Sequence, residues 1–184
     1  MTDIRFMLAR DEERAARQRL AKGCAQDIAS LDELLSGPLA AARRELSDLL
    51  AGLGAFERTT TQALVYRATD EIAARCIECV ADNVNMRFRA RFRMYVDAVA
   101  QSESRLLGKP RRPAVPRIDL RAVSTPLPSA MWSQQIVDDW IERLRCGIHE
   151  VVQHEVEIAQ RIIARRVIAS VARSRATVFL RRSK

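Results

Sequence analysis

Apolar residues recur at helical spacing from the N-terminal part of the chain onward. Between Leu20 and Leu35 they stand three or four positions apart, the spacing that places side chains on one face of an α-helix. We predict a first helix from about Asp3 to Leu35, ended by Ser36-Gly37-Pro38, since proline is well tolerated at the first position of the next helix. A leucine face from Leu39 to Leu53 marks that second helix.

Two long stretches then follow with almost no helix-breaking residues. Residues 55–107 contain neither glycine nor proline, and residues 129–184 contain only Gly147. Glycine and proline are the strongest breakers of regular structure, and the prevailing residues of both stretches favour helix. We predict two long helical arms, with kinks expected at Asn83, Asn85 and Gly147 if the arms fold back.

The segment 84–96 has a second interpretation. Apolar residues alternate with Arg87, Arg89, Arg91 and Arg93, and strict alternation is typical of a β-strand. On a helical wheel, however, Val84, Phe88, Phe92, Tyr95 and Val99 share one face. We favour the helix, because a lone strand would need a pairing partner and only residues 117–123 offer one.

A proline-rich connector joins the two arms. Five prolines between residues 108 and 128 favour extended backbone and forbid helix. We therefore expect one all-α domain in three parts: 1–107 with the N-terminal helices and the first arm, the connector 108–128, and 129–184 with the second arm. Its architecture is an elongated helical bundle or an antiparallel hairpin of the two long helices.

Positive charge is concentrated at the C-terminal end of the sequence. The chain has a net charge of +8, and residues 158–184 alone carry that charge, with no acid after Glu157. Such a basic segment favours docking to an anionic partner. The predicted contact residues are Arg161, Arg165, Arg166, Arg173, Arg175, Arg181, Arg182 and Lys184. A secondary basic surface consists of Arg87, Arg89, Arg91 and Arg93.

Two short motifs resemble metal sites. Cys76-x-x-Cys79 and Cys146-x-x-His149 together have the residue types of a zinc site, but on helical wheels the first pair lies on an apolar stripe and the second pair away from one. His149 and His154 are five residues apart, too far around a helix for a metalloprotease motif. We expect no bound metal, no cofactor, small buried cysteines and no enzymatic site.

These patterns predict a non-enzymatic scaffold or adaptor. Apolar helix faces would assemble a homo-oligomer or bind a helical partner protein, and the basic C-terminal segment would dock to an anionic partner. The first alternative is a nucleic-acid-binding protein, and the second is a peripheral protein at an anionic membrane surface. The beginning of the chain lacks the apolar core of a signal peptide, so we expect a cytoplasmic protein.

Overall fold

The chain folds into α-helices in a computed structural model, which describes residues 4–53, 62–107, 112–123 and 133–182. Helix α1 spans Ile4–Ala29, α2 spans Leu31–Gly52, α3 spans Gln62–Leu107 and α4 spans Gln134–Arg182. Every regular element within these ranges is an α-helix, which confirms the predicted all-α class. Residues 84–96 lie inside α3, so the strand interpretation of the alternating arginines is wrong.

The break between α1 and α2 falls earlier than predicted. It lies at Ser30, whose φ and ψ angles of −96° and 14° interrupt the helix, and Pro38 stands inside α2. Leu31, Leu35 and Leu39 are all buried along one face that continues past the proline. Burying three leucines gains roughly 1.5 to 3 kcal/mol each, which exceeds the roughly 3 kcal/mol that an interior proline costs.

The helices contribute to two compact units. Unit 1 consists of Met1–Asp27, Asn85–Ile118 and Glu155–Lys184, and unit 2 of Ile28–Val84 and Asp119–His154, in the parts of these ranges that the structure describes. Both long helices place their first part in unit 2 and their last part in unit 1. The described helices pack as an all-α bundle, which is one of the two predicted arrangements.

Each unit has its own apolar core. In unit 1, Leu20 and Cys24 of α1 are buried, as are Phe88 and Phe92 of α3 and Ile163 of α4. The buried residues of unit 2 include the leucine face of α2 and the following side chains from α3 and α4: Val65, Ile72, Val80, Val84, Trp140, Leu144 and Ile148. Three helices therefore supply each core.

The described part of the connector, residues 112–123, is non-helical as predicted. In unit 1, the Asn85 side chain donates a hydrogen bond to the Ile118 carbonyl and accepts one from the Ile118 amide, both at 2.9 Å. In unit 2, a Cβ atom at Gly147 would lie 3.6 Å from a Val123 methyl group. Asn85 and Gly147 thus lie within uninterrupted helices, beside the connector.

Candidate anionic-partner interface

The fold separates the charges of the chain between the two units. The sequence ranges of unit 1 contain 23 Lys and Arg against 9 Asp and Glu, a net charge of +14, whereas those of unit 2 contain 8 against 14, a net charge of −6. Three separate stretches of sequence, in α1, α3 with the connector, and α4, combine to give unit 1 its charge. Unit 1 is therefore strongly basic as a whole and is the candidate interface for an anionic partner.

The basic C-terminal segment is part of the core of unit 1. Ala159, Ile163, Ala164 and Val167 on α4 are buried, while Arg161 and Arg165 point to solvent from the opposite side of the same turns. The helical period places these two arginines four residues apart on one face. The core thereby fixes the direction in which this face presents its guanidinium groups.

The arginines of this segment differ in what they contact. The Arg166 guanidinium donates a hydrogen bond of 2.8 Å to the Ala114 carbonyl of the connector. Arg173 donates to the Ala169 carbonyl of its own helix at 3.2 Å, and Arg161 lies 3.5 Å from the Glu157 carboxylate. Arg165 has no ion-pair or hydrogen-bond partner among the described residues. Among the four described side chains of the predicted contact surface, Arg165 is thus the most available for a partner, and Arg161 is exposed beside it with an ion pair to Glu157.

The remaining residues of the predicted contact surface have no described side chains. Arg175, Arg181 and Arg182 belong to α4, but only their backbone is described. Lys184 lies outside the described residues.

The secondary basic surface divides into two kinds of arginine. Arg89 and Arg93 are exposed and have no partner among the described residues. Arg91 instead pairs with Asp27, whose side chain is only 8% exposed, and this hydrogen-bonded ion pair raises the pKa of Arg91. Arg87 is half-buried. Arg89 and Arg93 therefore remain available for a partner, and Arg91 has a structural role.

Sequence patterns missed an apolar component on this surface of α3. Met86 is 69% exposed and Met94 is 65% exposed, and exposed Ala90 lies between them. Methionine is frequent at surfaces that bind partner proteins, because its unbranched side chain adapts to different shapes. The alternation of apolar residues and arginines did contain this signal, since a helix cannot bury every second residue.

A charged cluster links α2 and α4 in unit 2. The Asp32 carboxylate lies 2.8 Å from His149 Nε2 and accepts a hydrogen bond of 3.0 Å from Arg145. The hydrogen bonds from His149 and Arg145 lower the pKa of Asp32. Arg145 also pairs with Glu142 and lowers the pKa of that carboxyl. These contacts join α2 to α4 within unit 2.

The cysteines lie in two environments. Cys24 and Cys76 are buried, and burial raises the pKa of each thiol to about 11. Cys79 and Cys146 are exposed, so the prediction of small buried cysteines is wrong for these two. Cys76 and Cys79 stand three residues apart on α3, but only Cys76 lies within its buried stripe. Across the described residues, no three His, Cys, Asp or Glu side chains are grouped to hold a metal ion.

Charged side chains line two surface depressions of unit 1. A depression of 420 Å³ is lined by Arg10, Asp11, Glu13, Arg14 and Arg17. A smaller one of 170 Å³ lies between α1 and α4, with Arg17, Glu157, Gln160 and Arg161 among its lining residues. Both depressions are lined by acidic as well as basic groups, so neither is a purely cationic pocket.

The chain was compared with protein-family models, curated proteins and solved structures, and none of the three comparisons found a match. Within the described ranges, no helix combines the length and the apolar character needed to cross a bilayer.

Proposed function

We propose that this protein is a non-enzymatic helical scaffold that self-associates and docks to an anionic macromolecule through unit 1. The observation that carries the docking proposal is the separation of charge, with +14 on unit 1 and −6 on unit 2. A concentrated positive field attracts polyanions and accelerates their association. Unit 2 would then carry the other contacts of the scaffold.

The geometry of α4 supports a defined contact surface on unit 1. Arg161 and Arg165 are exposed four residues apart on a helix whose other face is buried. Their direction is therefore set by packing before any partner binds, which lowers the ordering cost of binding. Arg166 and Arg91 already donate hydrogen bonds within unit 1, so we assign them to folding.

Nucleic acid is the anionic partner that we propose to test first. Arginine supplies 28 of the 31 basic residues of the chain. A guanidinium group forms paired hydrogen bonds to phosphate oxygens, whereas a lysine amine acts as a point charge. A protein that binds phosphates in this way loses affinity steeply with added salt, because binding releases counterions.

The experiment measures binding of the full chain to duplex DNA and duplex RNA over a salt series. The variant Arg161→Glu/Arg165→Glu removes the exposed pair of unit 1. The matched control, Arg44→Glu/Arg143→Glu, changes two exposed arginines of unit 2 that have no partner among the described residues. Both variants lower the net charge equally, so a difference between them reports on position and not on total charge.

We expect the first variant to bind more weakly and its slope of log K against log salt to flatten by about 2, since each lost phosphate contact changes the slope by ~0.9. The control should bind like the unmodified chain. Equal losses in both variants would refute a local interface. If the unmodified chain binds neither DNA nor RNA but binds vesicles rich in phosphatidylserine, the membrane alternative replaces the nucleic-acid one. If it binds none of the three, docking to phosphate polyanions is refuted.

A further inference from the structure

One side of α3 in unit 1 combines exposed apolar residues with exposed basic residues. Met86 is 69% exposed and Met94 is 65% exposed, and they are two of the three large apolar side chains that are exposed among the described residues. With exposed Ala90 they stand at intervals of four residues and form a stripe along one side of the helix. We call this stripe, together with Arg89 and Arg93 beside it, the methionine face.

The two arginines of the methionine face carry charge that no neighbouring group balances. Arg89 and Arg93 have no ion-pair or hydrogen-bond partner among the described residues. Asp97 follows Arg93 by one turn of the helix, but its carboxylate lies 3.3 Å from the Arg112 guanidinium of the connector. Two positive charges therefore lie along one edge of the apolar stripe.

The core of unit 1 and the connector leave the methionine face open. Asn85 and Phe92 are buried on the other side of α3, where Asn85 forms its two hydrogen bonds to Ile118. These contacts hold the helix from behind, so the stripe is presented as a fixed ridge about 12 Å long from Met86 to Met94. A surface that is ordered before binding lowers the cost of ordering on binding.

The chemistry of the methionine face selects among anionic partners. A nucleic-acid duplex offers phosphates to the arginines but no continuous apolar surface to the methionines. The same face on a second copy of the chain offers two more arginines where carboxylates are needed. An amphipathic helix with carboxylates beside its apolar stripe satisfies both parts of the face. Methionine adapts its shape to such helices and is frequent in the grooves that bind them.

We propose that the methionine face binds an acidic amphipathic helix of a partner protein. The apolar stripe of that helix covers Met86, Ala90 and Met94, and two carboxylates spaced four residues apart pair with Arg89 and Arg93, which have the same spacing. Burial of the methionines supplies most of the affinity, because salt bridges on a protein surface contribute little by themselves. The ion pairs fix the register of the helix and exclude basic partners.

This inference goes beyond the docking of a polyanion to α4. It gives the scaffold a second binding surface in unit 1, on a different helix and for a different class of macromolecule. The two surfaces are therefore tested with different ligands and different variants.

Synthetic peptides test the proposal on the full chain. The acidic peptide has ~20 residues, enough to form a helix, with leucines along one side and glutamates beside them. Two control peptides change one property each: lysines replace the glutamates in the basic peptide, and glutamines replace the leucines in the polar peptide. Fluorescence anisotropy gives the dissociation constant of each peptide at low and high salt.

Two variants of the chain each remove one part of the methionine face. The arginine variant is Arg89→Glu/Arg93→Glu, and the methionine variant is Met86→Gln/Met94→Gln. All four residues are exposed, so the substitutions leave the core unchanged, and circular dichroism checks that each variant is helical. The matched control is the α4 double variant of the docking experiment, which makes the same change of charge elsewhere in unit 1.

We expect the unmodified chain to bind the acidic peptide more tightly than either control peptide. Each variant of the face should bind the acidic peptide more weakly by ~10-fold or more, since it loses either the attractive ion pairs or the buried apolar area. The α4 variant should bind like the unmodified chain. The arginine variant should instead prefer the basic peptide, because its new glutamates face lysines.

Added salt gives an independent check of the contact. It should weaken binding of the acidic peptide to the unmodified chain, because it screens the attraction between glutamates and arginines. It should strengthen binding of the same peptide to the arginine variant, where like charges repel. The same direction of change in both proteins would contradict ion pairs at Arg89 and Arg93.

The other outcomes name a different site or a different occupant. If the acidic peptide binds no more tightly than the control peptides, or if the α4 variant loses as much affinity as the arginine variant, the proposal is refuted. If the peptide does not bind and the methionine variant loses a self-association that the unmodified chain shows in sedimentation equilibrium, the occupant is a second copy. If that variant instead loses binding to phosphatidylserine vesicles, the occupant is a membrane surface. Docking of nucleic acid is judged separately, by the salt slope of the α4 variant.

Discussion

The Arg91 guanidinium holds both oxygens of the Asp27 carboxylate, with 2.8 Å from Nε to Oδ2 and 3.0 Å from Nη2 to Oδ1. This paired geometry joins α1 to α3 within unit 1 across 64 residues of sequence. The Asp27 side chain is 8% exposed and that of Arg91 is 37% exposed. The aspartate is therefore largely removed from water, and the arginine replaces much of its hydration.

Replacing Arg91 should destabilise unit 1 without changing polyanion binding. Arg91→Met leaves a buried carboxylate without its arginine, which costs several kcal/mol in a fully buried pair. Because Arg91 is partly exposed, we expect a loss of about 2 kcal/mol in the free energy of unfolding, measured by urea denaturation. The exposed control Arg93→Met should change stability by less than ~0.5 kcal/mol. Equal stability of the two variants would contradict a structural role for Arg91.

The close packing of Gly23 against Arg91 gives a second prediction. A Cβ atom at Gly23 would lie 3.2 Å from Arg91 Nη1, whereas one at Gly147 would lie 3.6 Å from a Val123 methyl group, which is an ordinary van der Waals contact. Alanine is favoured over glycine inside helices by about 1 kcal/mol, so Gly147→Ala should raise stability by about that amount. Gly23→Ala should lower stability, because the arginine cannot move aside without weakening its bonds to Asp27. Thermal denaturation of the two variants provides the measurement, and a stabilised Gly23→Ala protein would show that Arg91 shifts freely.

Because the Asn85 side-chain amide forms two hydrogen bonds to Ile118, its replacement should lower the free energy of unfolding substantially. Asn85→Leu leaves the buried amide and carbonyl of Ile118 without these partners, and each such group costs roughly 1 to 3 kcal/mol. We expect a loss of about 2 to 4 kcal/mol in urea denaturation. Asn83 donates to the Cys79 carbonyl of its own helix, so Asn83→Leu is the matched control and should change stability little. A small effect at Asn85 would mean that water replaces the amide.

Thiol labelling should separate the four cysteines into two classes. Cys79 and Cys146 are exposed and should react with a thiol reagent at pH 8 in the native protein, Cys146 more slowly, because desolvation and the Glu142 carboxylate raise the pKa of its thiol. Cys24 and Cys76, with pKa values of about 11, hold only about one thiolate in a thousand at that pH and are shielded by the cores. They should react only as the protein unfolds, in denaturant or under strongly alkaline conditions. Four fast-reacting cysteines in the folded protein would contradict the burial of Cys24 and Cys76.

The helical class was predictable because its signals are local. Missing helix breakers and the apolar stripe from Val84 to Val99 define α3 within one stretch of sequence. Pro38 misled the boundary prediction, because the proline lies inside α2 and the buried Leu35 and Leu39 stand on either side of it. A local sequence pattern does not show whether tertiary packing keeps a proline inside a helix in order to bury the leucines around it.

The candidate interface was predictable only in part, because its charge is assembled from distant segments. The sequence placed all excess charge after Glu157, whereas the fold adds α1, α3 and the connector to the same unit. Arg91 cannot be distinguished from Arg89 or Arg93 in the sequence, because Asp27 lies 64 positions away. The net negative charge of unit 2 could not be predicted either, because its residues also come from distant segments of the sequence.

The sharing of α3 and α4 between both units has a consequence for synthesis of the chain. Trp140 and Leu144 of α4 complete the core of unit 2, and Ile163 and Val167 of the same helix complete that of unit 1. During translation, the core of unit 2 cannot close before the first part of α4 has left the ribosome, and the core of unit 1 cannot close before the last part of α4 has done so. Until then the apolar stripes of the first three helices stay uncovered, and such transiently exposed surfaces are the ones that aggregate or recruit chaperones. We therefore expect the yield of folded protein to depend on slow synthesis and on chaperone supply, more strongly than the stability of the folded protein would indicate.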